Sequence, residues 1–205
     1  YGALGMSHHA TEDIAIMRAL PGVTVISPST EYEAYSSTIN LSKQAGVGYL
    51  RLDKSKVENI NEKVERFKIG KGRVLLDGSD YAIIACGGIV NEAISAAHEL
   101  NNKNISCKVI SMHTIKPMDN ALIHNCVKNL KGIISLEEGN ITGGMGSAIL
   151  EVCLNTGKFP LKMKMLGIKD EYISIVGSQK YLRDSVGISK KFIVDAILEM
   201  DRLWK

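Results

Sequence analysis

The chain has 205 residues, of which 45% are hydrophobic and 23% charged; this is ordinary globular usage and excludes a mainly disordered chain. A net charge of +3, from 25 Lys+Arg against 22 Asp+Glu, is too small and too dispersed to imply a nucleic-acid partner, although it is compatible with anionic sugar phosphates. No apolar run approaches the roughly 20 residues of a membrane span, no stretch reads as a secretory signal, and the length suits one large domain or two small ones.

Residues 1–28, YGALGMSHHATEDIAIMRALPGVTVISP, set a Gly-rich loop and two adjacent histidines before a short helix. Gly2, Gly5 and the pair Met6-Ser7 resist regular structure, so His8 and His9 are placed on a loop that feeds the helix. Thr11 or Ser7 is suited to cap it, and Glu12 and Asp13 suit its positive N-terminal end. Ile14, Met17 and Leu20 form an apolar stripe at helical spacing that ends at Pro21-Gly22. The β-branched run Val23–Ile26 follows as a buried strand. A polar loop between such elements is where an α/β protein carries a site.

Thr30 and Glu33 form a capping box, so the next helix is expected to run to about Gln44 and stop at Gly46. The strand VGYLRL over 47–52 ends in Arg51 and is followed by Asp53 and Lys54, two cations beyond a strand's carboxyl end. Residues 53–66, charged and poor in large apolar groups, are the best linker, dividing the chain near residue 65. The span 67–80 reads as a short hairpin with a strand around Arg73–Leu76.

A fresh α/β series then begins. Strands are expected at 81–86, 105–112, 132–136 and 161–167, and helices at 89–100, 120–130, 143–155 and 189–204. Strands alternating with helices imply a mostly parallel sheet covered on both faces. The fold class is therefore α/β, two three-layer units with mostly parallel sheets, the first truncated at its N-terminus. The four cysteines, Cys86, Cys107, Cys126 and Cys153, lie in apolar surroundings with no CxxC pair and read as buried free thiols of a reducing cytoplasm. No set of Cys and His has zinc-ligand spacing, so no metal ligand is assigned. GNITGGMG over 139–146 precedes a helix, but it lacks the Walker Lys-Ser/Thr and the GxGxxG register, so close helix–strand packing explains it at least as well as a nucleotide. His113 is a loop histidine, expected at the surface. The adjacent Glu137 and Glu138 at a strand end point apart and read as structural or as part of a subunit interface.

The run SHHATEDIAIMRALPGVTVISPS resembles the second half of the pyrimidine-binding domain of transketolase-like, thiamine-diphosphate-dependent enzymes. TIKPMD, ISLEEGNITGGMGSAILEV and LGIKDEYISIVGS resemble successive signatures of the transketolase C-terminal domain, in the same order and spacing. The resemblance covers nearly the whole chain and divides it into 1–65, the second half of the pyrimidine-binding domain, and 66–205, the C-terminal domain. It implies that His8 faces the reacting substrate, with Ser7 and His9 beside it. It also implies that Lys54 takes the place of an Arg that binds the substrate phosphate, a position it matches better than Arg51. In the related deoxyxylulose-phosphate synthases an Arg stands at the position of His113 and helps hold phosphate, and the resemblance implies that His113 does part of that here. One departure is that Gly2-Ala3-Leu4-Gly5 keeps both glycines of the family's Gly-Glu-Asp-Gly element and loses both acids.

The resemblance further implies two-carbon ketol transfer between sugar phosphates, with thiamine diphosphate and Mg²⁺ held mainly by regions upstream of Tyr1. The activating Glu is also expected upstream, so the chain reads as a fragment that is inactive alone. The implied partners are a homodimeric copy and an N-terminal transketolase portion or subunit. The alternatives are a synthase-like or 2-oxo-acid dehydrogenase β-like component, or a non-catalytic assembly or regulatory domain.

Overall fold

The computed structural model describes residues 2–55 and 67–202. The linker read over 53–66, and with it the boundary near residue 65, falls almost wholly outside them; only 53–55 are described.

The first region opens with two short 3₁₀ turns, Gly2–Leu4 and Met6–His8. Helix α1 (Asp13–Ala19) follows, then β1 (Val23–Ile26), α2 (Glu31–Leu41) and β2 (Val47–Leu50). Neither Ser7 nor Thr11 caps α1. Glu12 occupies the cap position without a side-chain bond, and the Thr11 hydroxyl donates to the Glu12 carboxylate instead (2.8 Å). Thr30 does cap α2, accepting from the Glu33 amide at 3.1 Å. That helix stops three residues short of the expected Gln44.

The second region comprises β3 (Arg73–Leu76), β4 (Tyr81–Cys86), α3 (Val90–Asn101), β5 (Cys107–Ser111), β6 (Thr114–Lys116), α4 (Asn120–Asn129), β7 (Gly132–Asn140), α5 (Met145–Thr156), β8 (Met163–Ile168), α6 (Gln179–Ser185) and α7 (Lys190–Arg202). Its five-stranded sheet has the order β3-β5-β4-β7-β8. All pairings are parallel except the edge strand β3, which runs antiparallel to β5. The expected local hairpin over 67–80 is therefore not formed, because β3 pairs with a strand some 30 residues later instead of folding back.

The unbroken apolar run of β4 is buried on both faces, as a central parallel strand requires. Tyr81, Ile83 and Ala85 face α3 and α7, while Ala82, Ile84 and Cys86 face the opposite layer. That second layer also takes in Ile14, Val23 and Val25 from the first region. Among the described residues, the first region's apolar side chains thus join the second region's core. Strand β6, unforeseen in the sequence, makes the same connection through the backbone. It leaves the larger sheet and pairs antiparallel with β1, giving a second sheet of order β2-β1-β6. All four cysteines are buried and free. No helix among the described residues is long and apolar enough to cross a membrane.

Candidate functional site

The strand order of the larger sheet reverses at β4, with β5 on one side and β7 on the other. In open α/β sheets, the crevice beyond the carboxyl ends of such strands is where ligands bind. A cavity of about 870 Å³ opens there, bounded by the ends of β2, β4, β7 and β8. His8, His9, Arg51 and Lys54 all line it. Four of the six residues singled out in the sequence therefore converge on one space.

His8 is exposed at the cavity wall. Its Nδ1 lies 3.0 Å from the Ser7 hydroxyl, and that hydroxyl donates to the Leu4 carbonyl at 3.4 Å. In the tautomer that carries its proton on Nδ1, Ser7 accepts it and Nε2 is the ring's acceptor. Ser7 itself stands behind the wall as the partner of His8. His9 is half-buried, and its Nε2 is buried without a hydrogen-bond partner. Lys54 is exposed at the rim.

Arg51 does something other than what the sequence suggests. Its guanidinium donates to the carbonyls of Ala10 (2.7 Å) and Glu138 (2.8 Å) and pairs with Asp13 (3.2 Å). Those bonds brace the histidine loop and engage Nε and Nη2 of the guanidinium. Tyr49 donates to the same Asp13 carboxylate at 2.6 Å, and burial together with that bond pushes the phenol up to about 12.

His113 lies away from the cavity, and both expectations for it need correction. It is fully buried instead of exposed. Its ring stacks on Phe67 with centroids 4.4 Å apart, and Nδ1 bonds to the Thr114 hydroxyl at 2.9 Å. Burial, reinforced by the nearby Arg73 charge, lowers its pKa to about 3. A neutral, enclosed imidazole cannot hold a phosphate.

The glycine turn before α5 is filled from within. Glu137 accepts from the amides of Met145 (2.7 Å) and Gly146 (2.9 Å), and a β-carbon at Gly144 would collide with its carboxylate. The helix N-terminus that could cradle a phosphate is already filled by this carboxyl group. Burial raises the Glu137 pKa to about 7 against the pull of those two amides. Burial, followed by the neighbouring Glu137, also pushes the Cys86 thiol far up, so this cavity-lining sulfur stays a thiol.

No group of three or more His, Cys, Asp or Glu among the described residues could hold a metal ion. With the glycine turn also filled, these residues do not fit a diphosphate with its Mg²⁺. What the arrangement offers is imidazole nitrogen and ammonium at one wall of a space sized for a small molecule. The sequence reading did not foresee that Glu138, Gln179 and Arg183 also line the cavity. Gln179 and Arg183 lie on the seven-residue α6. Its signal was Ser178, whose hydroxyl accepts from the Tyr181 amide at 3.2 Å.

Residues 1–59 match the family profile "Transketolase, pyrimidine binding domain", and residues 70–193 match "Transketolase, C-terminal domain". The chain is 33% identical over 201 residues to an apulose-4-phosphate transketolase subunit of Actinobacillus succinogenes, covering 98% of this chain and 64% of that one. It is 34% identical over 202 residues to the 1-deoxy-D-xylulose-5-phosphate synthase of Halothermothrix orenii, covering 97% of this chain and 31% of that one. It superposes on a solved structure described as "Split gene transketolase, inactive beta4 tetramer" with TM-score 0.86 and 29% identity, covering 96% of this chain and 63% of that chain. It thus spans less than two thirds of the length of these relatives.

Proposed function

The chain belongs to the transketolase family, and on that premise we propose that it is the C-terminal portion of a thiamine-diphosphate-dependent transferase that moves a two-carbon ketol unit between sugar phosphates. Residues 1–65 are then the end of the pyrimidine-binding domain and 66–205 the C-terminal domain. The convergence of His8, His9 and Lys54 on one cavity supports this reading. The cofactor supplies the carbon–carbon bond chemistry, and its diphosphate and Mg²⁺ belong to an N-terminal portion or subunit.

The work of this chain is to bind the substrate and move protons. His8 Nε2 exchanges a proton with the substrate oxygen, a contribution typically worth roughly 10²–10⁴-fold. His9 lines the same cavity beside it, and Lys54 meets the phosphate as a point charge. Arg51 and His113 are not among the substrate contacts, for the reasons of geometry given above. The relative named as a transketolase subunit and the neighbour described as an inactive β4 tetramer support a chain that self-associates, is inactive alone and requires an N-terminal subunit.

The test is to assay ketol transfer by the chain with and without that N-terminal subunit, in the presence of thiamine diphosphate and Mg²⁺. Transfer is expected only with both subunits, and His8→Ala should lower kcat by roughly 10²–10⁴-fold without unfolding the chain. Tight cofactor binding by the chain alone would sink the split site. Inactivity of both preparations would leave an assembly domain. The likeness to a deoxyxylulose-phosphate synthase favours a second reading, in which the donor is a 2-oxo acid, and the same assay with such a donor separates the two.

A further inference from the structure

Two segments carry the imidazoles and the ammonium proposed to meet the substrate, namely the histidine loop at 8–11 and the strand end at 51–55. Both are tied to one residue of the second region. The backbone carbonyl of Glu138 accepts from Arg51 Nη2 (2.8 Å), and the same nitrogen donates to Ala10 in the histidine loop (2.7 Å). The carboxylate of Glu138 accepts from Arg183 Nε (3.0 Å) and Nη2 (2.6 Å). Arg183 Nη2 also donates to the Ser55 hydroxyl (2.9 Å), and Ser55 in turn donates to Gln179 (3.1 Å). On the other side of Lys54, Asp53 accepts from the Gly88 amide at 2.8 Å. Lys54 therefore stands between two residues fixed to the second region. Two residues past Glu138, the Asn140 amide donates to the Thr11 carbonyl at 2.7 Å.

We propose that Glu138 and Arg183 are positioning residues of the substrate site. They set the distance between the imidazole of His8 and the ammonium of Lys54 through the bonds they make to Arg51, Ser55 and each other. This rests on the function proposed above, in which those two groups hold opposite ends of one molecule. A substrate of fixed length engages both only if their separation is right, and a misplacement of about 1 Å costs on the order of 100-fold in rate. The planar fork of Arg183 reaches Glu138 and Ser55 together, a geometry that a lysine ammonium cannot reproduce. Such a largely buried ion pair adds little net stability, so fixing geometry is its physical use here.

The test compares wild type with Arg183→Lys and Glu138→Gln in the two-subunit enzyme, using D-glyceraldehyde 3-phosphate and D-glyceraldehyde as acceptors. Both variants are expected to lose about 100-fold in kcat/KM with the phosphorylated acceptor. They should lose far less with the unphosphorylated one, so that the preference for phosphate shrinks at least tenfold. Equal losses with both acceptors, or none, would overturn the proposal, because a merely structural defect lowers both alike. A second arm uses the chain alone and measures amide hydrogen exchange. Arg183→Lys should speed exchange about tenfold at both 8–12 and 51–55, with β4 unchanged. Acceleration at 51–55 alone would show that the two segments are not coupled, and the proposal would fall. If the wild-type complex transfers nothing, the function proposed above fails while the exchange arm still decides the positioning.

Discussion

The two regions of the molecule are held together by different physics. In the second, β4 and most of β7 are buried strand residues packed between helices. In the first, β1 is wholly buried but β2 is half-exposed, with Val47 at 61%. Beside the apolar contacts of Ile14, Val23 and Val25, polar links anchor the first region. Arg18 donates to the carbonyls of Gly143 and Gly144 and pairs with Glu151. Lys116 reaches back to the carbonyls of Arg18 (2.9 Å) and Leu20 (2.5 Å). Glu33 of α2 is buried against Arg73 of β3 at 2.8 Å. The side chains that face the cavity thus stand mainly on the region with least apolar core, and the other region sets where they point. Functional segments are commonly drawn from this low-stability end of a structure.

The sharpest way to break that contrast is to cut the deepest polar link. Arg73→Met leaves the Glu33 carboxylate buried with Ser29 and Ser111 as its donors among the described residues, and removing one partner of a buried pair costs about 3–5 kcal/mol. Urea unfolding measures this. Burial already raises the Glu33 pKa, so a loss under about 1 kcal/mol would mean that Glu33 is protonated and the link is not ionic.

His113, at the same junction, gives the next largest effect. Its imidazole stays neutral in the folded chain down to about pH 3, against 6.5 when unperturbed. The unfolded chain therefore binds more protons between those values. Its contribution is complete above pH 6.5 and is lost as pH falls toward 3, by roughly 3 kcal/mol at pH 4. His113→Gln should flatten this acid limb in denaturation at graded pH. An unchanged slope would assign the acid sensitivity elsewhere.

The smallest effect tests the first region by itself. Thr30→Ala removes the cap of α2 and costs about 1 kcal/mol. Amide exchange should quicken in α2 and leave β4 untouched. An equal rise in β4 would mean that the regions unfold as one and the contrast is only descriptive.

Much of this was legible in the sequence, for physical reasons that differ by element. Strands β1, β3 and β4 matched their expected bounds, because apolar runs closed by Gly and turn residues leave few alternatives. The Thr30 cap was equally plain. The cavity residues His8, His9 and Lys54 were found because each stands beyond a strand or before a helix. What was missed depended on partners distant in sequence. Strand β6 has three residues and no alternation, and only pairing with β1 makes it a strand. His113 looks like a surface loop residue until Phe67 covers it. Arg51 resembles an anion ligand until Ala10 and Glu138 accept its protons. Glu137 has no local pattern that announces the glycine turn it fills.

The excursion of β6 into the smaller sheet also bears on the order in which the chain acquires structure. Val25 pairs with Lys116 and Ile26 with Thr114, so one strand waits for another made some 90 residues later. At roughly 5–20 residues per second that is a delay of several seconds or more on the ribosome. Of the residues described, the histidine loop is thus among the first to be synthesised and among the last to be fixed. In pulse-labelled refolding, the amides of β4 and β7 should gain protection before those of β1, and the reverse order would contradict this.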